Sequence, residues 1–194
     1  MKLLHLDSSI LGDNSASRTL SASIVAQWQQ NNAGLKVSHR DLTAEHALPH
    51  LDGASLAKAD PEEAARSARA LEEFLNADVV VLGVPMYNFG IPSQLKAWID
   101  RIAVAGKTFR YAASGSEGLA GGKKVIVAAT YGGLYPLAEG RNFVEPYLRQ
   151  VFTFLGIDDV SFISAEGLNI SPDLRTKAMD SAHASIGEVL QLAA

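Results

Sequence analysis

Short apolar runs alternate with longer amphipathic stretches along the whole chain. Lys2 to Asp7 reads as a strand, and Lys36 to Asp41 alternates like a second, more exposed one. Asp78 to Val84 is a near-continuous β-branched run, as expected of a strand covered on both faces. Lys124 to Thr130 makes another buried strand, and Asp159 to Ala165 a fifth. Between them the apolar spacing turns helical. Ser17 to Asn32 sets Leu20, Ile24, Val25 and Trp28 on one face. Pro61 to Asn76 starts with proline at its first position and carries Ala65, Ala68, Leu71, Phe74 and Leu75 inward. Ser93 to Val104, Asn142 to Leu155 (closed by Gly156) and Pro172 to Leu192 are the remaining predicted helices.

Strands alternating with helices predict an α/β chain with a doubly wound parallel five-stranded sheet, helices on both faces. Right-handed crossovers leave few topologies, and 2-1-3-4-5 is the natural order at this length. With no repeat, low-complexity tract or linker, residues 1–194 are expected to form a single domain. Ligands of such sheets sit beyond the C-terminal strand ends, at the switch point. Function is therefore sought after Asp7, Val84 and Thr130.

After the first strand, Ser9, Ser15 and Ser17 place hydroxyls and loop amides at a helix N-terminus. That is either a phosphate site or a polar loop with a serine cap. No GxxxxGK[ST] or GxGxxG occurs, which argues against P-loop and standard dinucleotide folds. After the third strand comes Pro85-Met86-Tyr87-Asn88-Phe89-Gly90-Ile91-Pro92, a stiff aromatic shelf for a flat ring or a turn covering the core. Gly90 is expected to ease its backbone. After the fourth strand, Thr130-Tyr131-Gly132-Gly133 could bring bare N–H groups against a ligand such as a flavin's N1/C2-carbonyl edge, or form a plain turn.

Composition narrows this. Charged residues are 20% of the chain and the formal charge is −4, without a basic run, which speaks against nucleic acid. No apolar run is long enough for a bilayer. Met1-Lys2 leads straight into a strand, so a cytoplasmic location is expected. There is no cysteine, so redox work would need a bound organic cofactor. His5, His39, His46 and His50 show no HExxH context and are read as solvent-facing, with no metal site expected.

Ser8-Ser9-Ile10, Ser15 to Ser17, the PMYNF run Pro85 to Phe89 followed by Ser93-Gln94-Leu95-Lys96, and Gly132-Gly133 resemble the FMN-dependent NADH-azoreductases, relatives of the NAD(P)H:quinone oxidoreductases. The likeness continues through Thr108 to Tyr111, Glu117 to Leu119, Gly122 to Lys124 and Ala165 to Gly167. It implies a flavodoxin-like fold and an FMN whose phosphate is held by Ser9, Ser15, Ala16 and Ser17. It further implies that Pro85, Met86, Tyr87, Asn88 and Phe89 border the ring, and that Thr130, Tyr131, Gly132 and Gly133 line its pyrimidine side. Asn88, Gly132 and Gly133 would support chemistry at flavin N5, with no catalytic side chain. Members of this family are typically homodimers with sites at the interface. Thr108 to Gly122 is then the candidate borrowed wall, with Tyr111 and Tyr131 in the substrate pocket. Tyr131 stands where some relatives carry arginine.

The implied activity is ping-pong hydride transfer from NADH or NADPH to azo compounds and quinones, with nitroaromatics as further acceptors. Two alternatives remain open. One is an FMN electron carrier. The other is a serine esterase built on Ser8 or Ser9 with Asp180 and His183.

Overall fold

The β-branched runs lie at the middle of the sheet, where both faces are covered. The computed structural model describes residues 1–44, 47–113 and 115–191. In chain order the elements are β1 (Lys2–Asp7), α1 (Ala16–Asn31), β2 (Lys36–Asp41), α2 (Gly53–Leu56), α3 (Pro61–Asn76), β3 (Val79–Pro85), α4 (Ser93–Ile102), β4 (Phe109–Ala112), β5 (Gly115–Gly118), β6 (Lys124–Thr130), α5 (Val144–Phe154), β7 (Asp159–Ala165) and α6 (Pro172–Gln191). His46 of the histidine set and Leu192, the expected end of the last helix, lie outside the described residues.

Five strands form one parallel sheet in the order β2-β1-β3-β6-β7. This replaces the expected label 2-1-3-4-5, because β4 and β5 intervene as an antiparallel hairpin outside that sheet. Neither was foreseen as a strand, since Phe109 to Gly118 lacks an apolar period. Along each central strand, successive side chains enter opposite cores. Leu4, Leu6, Val80 and Leu82 meet Phe74 of α3, Trp98 of α4 and Leu148 and Phe152 of α5. Leu3, Val79, Val81 and Ile126 meet Leu20, Ile24 and Trp28 of α1 with Ala182 and Ile186 of α6. Helices therefore cover both faces. Each large apolar side chain so buried contributes roughly 1.5–3 kcal/mol, which holds the sheet against chain entropy.

Side chains set where the helices end. Ser15 Oγ accepts the Arg18 N–H at 3.3 Å, so α1 begins at Ala16. Asn142 was expected inside a helix. Its Oδ1 instead accepts the Val144 N–H at 3.1 Å, outside the first turn of α5. α4 stops at Ile102, short of Val104, because Thr108 Oγ1 donates to the Ile102 carbonyl at 2.6 Å and accepts the Val104 N–H at 2.9 Å. The hairpin is mounted on the end of α5. Ala120 N–H donates to Leu155 O at 2.9 Å, and a Cβ on Gly118 would fall 2.1 Å from Gly156 N. Only glycine permits that approach. Among the described residues no helix is long and apolar enough to cross a membrane.

Candidate functional site

The register sets the geometry of the site. Asp7 pairs with Gly83 and Pro85 with Thr130, so the loops after β1, β3 and β6 leave the sheet side by side. They border a cleft of about 120 Å³. Ser9, Ser15 and Ala16 line it on one side, Pro85, Met86 and Tyr87 in the middle, and Thr130, Tyr131 and Gly132 on the other. Leu11, Asn14, Leu168, Asn169 and Arg175 also line it and were missed, as neutral loop residues or residues of a distant helix. A larger hollow of about 270 Å³ lies where β1 and β2 begin, beside Lys2, Lys36 and Asn76. It is at the wrong end of the strands for a switch-point ligand.

Ser8 Oγ donates to Gly83 O at 2.7 Å, and Ser9 Oγ meets the Tyr87 hydroxyl at 3.2 Å. Ser15 Oγ meets Ser17 Oγ at 3.0 Å. Ser9, Ser15 and Ser17 are all buried, and Ser17 does not line the cleft. The first amides of α1, at Ala16 and Ser17, have no intrahelical acceptor. With the helix dipole they form a ready anion site.

Sequence reasoning also missed Arg18. Its Nε and Nη2 donate to Ser9 O at 3.2 and 2.7 Å, and its guanidinium spans both Asp41 oxygens at 2.7 and 2.8 Å. Burial pushes the Asp41 carboxyl up, but hydrogen bonds from Arg18 and Thr43 outweigh it and hold Asp41 below the ordinary carboxylate value. The Asp41 hydrogen bond raises Arg18 in turn.

In the middle loop, Tyr87 and Gly90 exchange backbone hydrogen bonds at 3.0 Å, closing a tight turn. The expected role of Gly90 is corrected, because the left-handed residues are Asn88 (φ 49°) and Phe89 (φ 70°). Asparagine tolerates that region, whereas phenylalanine there stores strain of about 1–3 kcal/mol. Asn88 is exposed, and its side chain meets no partner among the described residues. Phe89 stands edge-on to Tyr135, 5.9 Å between ring centroids. Neither Asn88 nor Phe89 lines the cleft of this chain.

Behind the cleft, Gly132 O accepts Asn169 N–H at 2.9 Å and Gly133 O accepts Gly167 N–H at 2.8 Å. Among the described residues neither glycine's own N–H meets an acceptor. Gly133 lies outside the cleft lining. Tyr131 is corrected more sharply. Its side chain was expected to face a substrate, yet it is 1% exposed and belongs to the core cluster that also holds Val144 and Leu148. Burial pushes its phenol above the ordinary value, the pull of nearby Asn142 and Ser164 only partly offsets this, and Glu145 and Glu166 add to the rise. Among the described residues the hydroxyl meets no partner in hydrogen-bond geometry. Tyr111 is 79% exposed on the hairpin and does not line this chain's cleft.

The histidine reading changes as well. His5 is buried, not solvent-facing, because β2 and α1 cover it and Ser21 Oγ meets its Nε2 at 2.9 Å. His183 bonds Ser23 Oγ and Met179 O, while Ser8 is spent on Gly83 O, so no esterase triad forms.

These features fit a planar ligand with an anionic tail. The unspent amides of α1 suit the anion, those of Gly132 and Gly133 suit an electron-rich ring edge, and a proline-aromatic loop lies between. A Cβ at Gly132 would fall 2.7 Å from Asn169 Nδ2, so any side chain there must push the Asn169 amide aside at the cleft wall.

Residues 1–190 match the family described as having a flavodoxin-like fold. An FMN-dependent NADH:quinone oxidoreductase of Xanthomonas euvesicatoria is 58% identical over 189 residues, covering 97% of this chain and 96% of that protein. Another so named, from Ralstonia nicotianae, is 53% identical over 207 residues, covering 100% and 99%. Among solved structures, an FMN-dependent NADH-azoreductase of Bacillus anthracis in complex with FMN superposes with a TM-score of 0.88 at 25% identity, covering 100% of both chains. The chain belongs to the flavodoxin-like family and, within it, to the family of these FMN-dependent NADH:quinone oxidoreductases.

Proposed function

We propose that the protein is an FMN-dependent oxidoreductase that takes hydride from NADH and delivers it to quinones and azo compounds by a ping-pong cycle. The observation that carries this reading is a pair of unspent backbone donors on one cleft, the Ala16 amide of α1 at one end and the Gly132 amide at the other, with those of Ser17 and Gly133 next to them in the chain. The names of the relatives specify the ligand and the reaction class. When bound, FMN supplies the hydride-carrying N5 centre that a cysteine-free chain has no side chain to replace.

The residues then divide the work. Ser9, Ser15, Ala16 and Ser17 hold the phosphate through hydroxyls and the α1 terminus. Pro85 to Phe89 border the ring, and Thr130 to Gly133 offer backbone donors to the edge where negative charge develops. Asn88, exposed and unpartnered, is the amide available to an incoming reactant.

The working unit is read as a homodimer. The cleft of one chain is smaller than the roughly 300–1,000 Å³ of a usual cofactor pocket. Around it stand exposed Leu11, Phe89, Leu134, Phe143 and Ile170, an apolar rim that a second copy would cover. Tyr111 on the hairpin would be offered to the other copy's cleft.

Colour and reduction test this. Purified protein should be yellow, release FMN on denaturation, and bleach anaerobically with NADH. Steady menadione turnover without a partner protein separates an enzyme from a carrier. A colourless protein that ignores added FMN would overturn the reading.

A further inference from the structure

Beneath α1, three side chains that do not line the cleft converge on one another. Parallel register sets His5 of β1 directly opposite His39 of β2, with ring centroids 4.7 Å apart. Asp7 reaches both: its Oδ2 lies 3.0 Å from His39 Nε2 and its Oδ1 lies 3.5 Å from His5 Nε2. Ser21 Oγ, from α1, is 2.9 Å from His5 Nε2 and 2.9 Å from Asp7 Oδ1.

We propose that His5, Asp7 and His39 bind a divalent transition-metal ion of the zinc class, with the Ser21 hydroxyl at a fourth corner. The three ligand atoms all lie within 4.8 Å of one another. Zinc holds nitrogen and oxygen ligands at about 2.0–2.2 Å in a tetrahedron, whose corners are then about 3.3 Å apart. The two histidine–aspartate edges already present, 3.5 and 3.0 Å, bracket that value, and no two ligand atoms of the three are more than 4.8 Å apart. Two imidazoles and one carboxylate favour zinc, cobalt, nickel or copper over magnesium and calcium. Binding requires both Nε2 atoms as lone-pair donors, so each ring keeps its proton on Nδ1.

The surroundings agree. His5 and Asp7 are buried on β1, so two of the ligands sit on a rigid central strand. His39 has its side chain 49% exposed, which gives the ion a path from solvent. Gly83 keeps the space open, since a Cβ there would fall 2.6 Å from Asp7 Oδ1. A bound ion would cross-link β2, the outermost strand, to β1. This inference does not rest on the oxidoreductase reading.

The test uses the protein as purified, stripped with a chelator and titrated with cobalt(II). One equivalent per chain should produce the visible bands of tetrahedral cobalt, to the red of flavin absorption, and zinc(II) should abolish them. His39→Ala, at a half-exposed position that tolerates truncation, should lose the bands and weaken zinc binding by about tenfold or more. His50→Ala and His183→Ala should leave both unchanged. Zinc should raise the melting temperature of the wild type and not that of His39→Ala. Absence of cobalt bands from the wild type, or unaltered binding in His39→Ala, would overturn the site and leave the cluster a hydrogen-bonded network.

Discussion

The loop after β1 and the loop after β3 meet at one sheet edge but are held in opposite ways. The first is over-determined: Ser8 is fastened to Gly83, two Arg18 nitrogens fasten the Ser9 carbonyl, and Ser15 is shared between Ser17 and the cap of α1. The second keeps two non-glycine residues left-handed and leaves Asn88 and Phe89 exposed. A charged group held through every turnover needs fixed donors, whereas reactants that come and go need an accessible shelf. The division matches a cofactor fixed at one end and chemistry open at the other.

Removing the clamp should have the largest effect. Arg18→Leu frees the Ser9 carbonyl and leaves Asp41 without its charge partner, so stability should fall by about 2–3 kcal/mol in urea unfolding. FMN affinity should fall roughly tenfold, the equivalent of one charge-assisted hydrogen bond. Flavin fluorescence should show a smaller loss for riboflavin. Equal losses would place the clamp's effect away from the phosphate end.

A mid-sized effect is expected across the cleft. Gly132→Ala presses only on the end of the flexible Asn169 side chain, so stability should drop by about 1 kcal/mol or less. Flavin binding should weaken more than stability does. If both change in proportion, the glycine serves the turn alone.

Acid should separate the loops next. Because Asp41 is held below its ordinary value, its pairing stabilises the fold above about pH 4 and that contribution is lost as pH falls further. Asp41→Asn should therefore flatten that part of the acid limb of stability while leaving the neutral-pH activity with menadione in place. A wild-type acid limb in the variant would sink the assignment.

The smallest change belongs to the strained loop. Phe89→Gly relieves a left-handed phenylalanine but loses its edge contact with Tyr135, so stability should stay within about 1 kcal/mol of wild type. A loss of several kcal/mol would show that the turn is not strained.

Much of this was legible because the central strands leave no choice: Val79 to Leu82 and Val125 to Val127 can only be buried on both sides. Loop positions followed from topology, and the three loops do line one cleft. What could not be read depends on long-range contacts. Tyr131, just past a strand end, could turn toward ligand or core, and only its long-range packing into the cluster that also holds Val144 and Leu148 decides for the core. Strain at Phe89 was hidden because Gly90 drew the expectation. His5 and His39, far apart along the chain, become neighbours only through the β1–β2 register.

The seating of Gly118 against Gly156 has a mechanical consequence. The hairpin is a short lever whose base touches the end of α5 backbone to backbone and whose far end carries Tyr111. A methyl group at Gly118 would tilt that lever with the parent chain's own cleft untouched. In a homodimer the defect would appear in trans, and mixed dimers with one altered subunit would retain half of their sites intact.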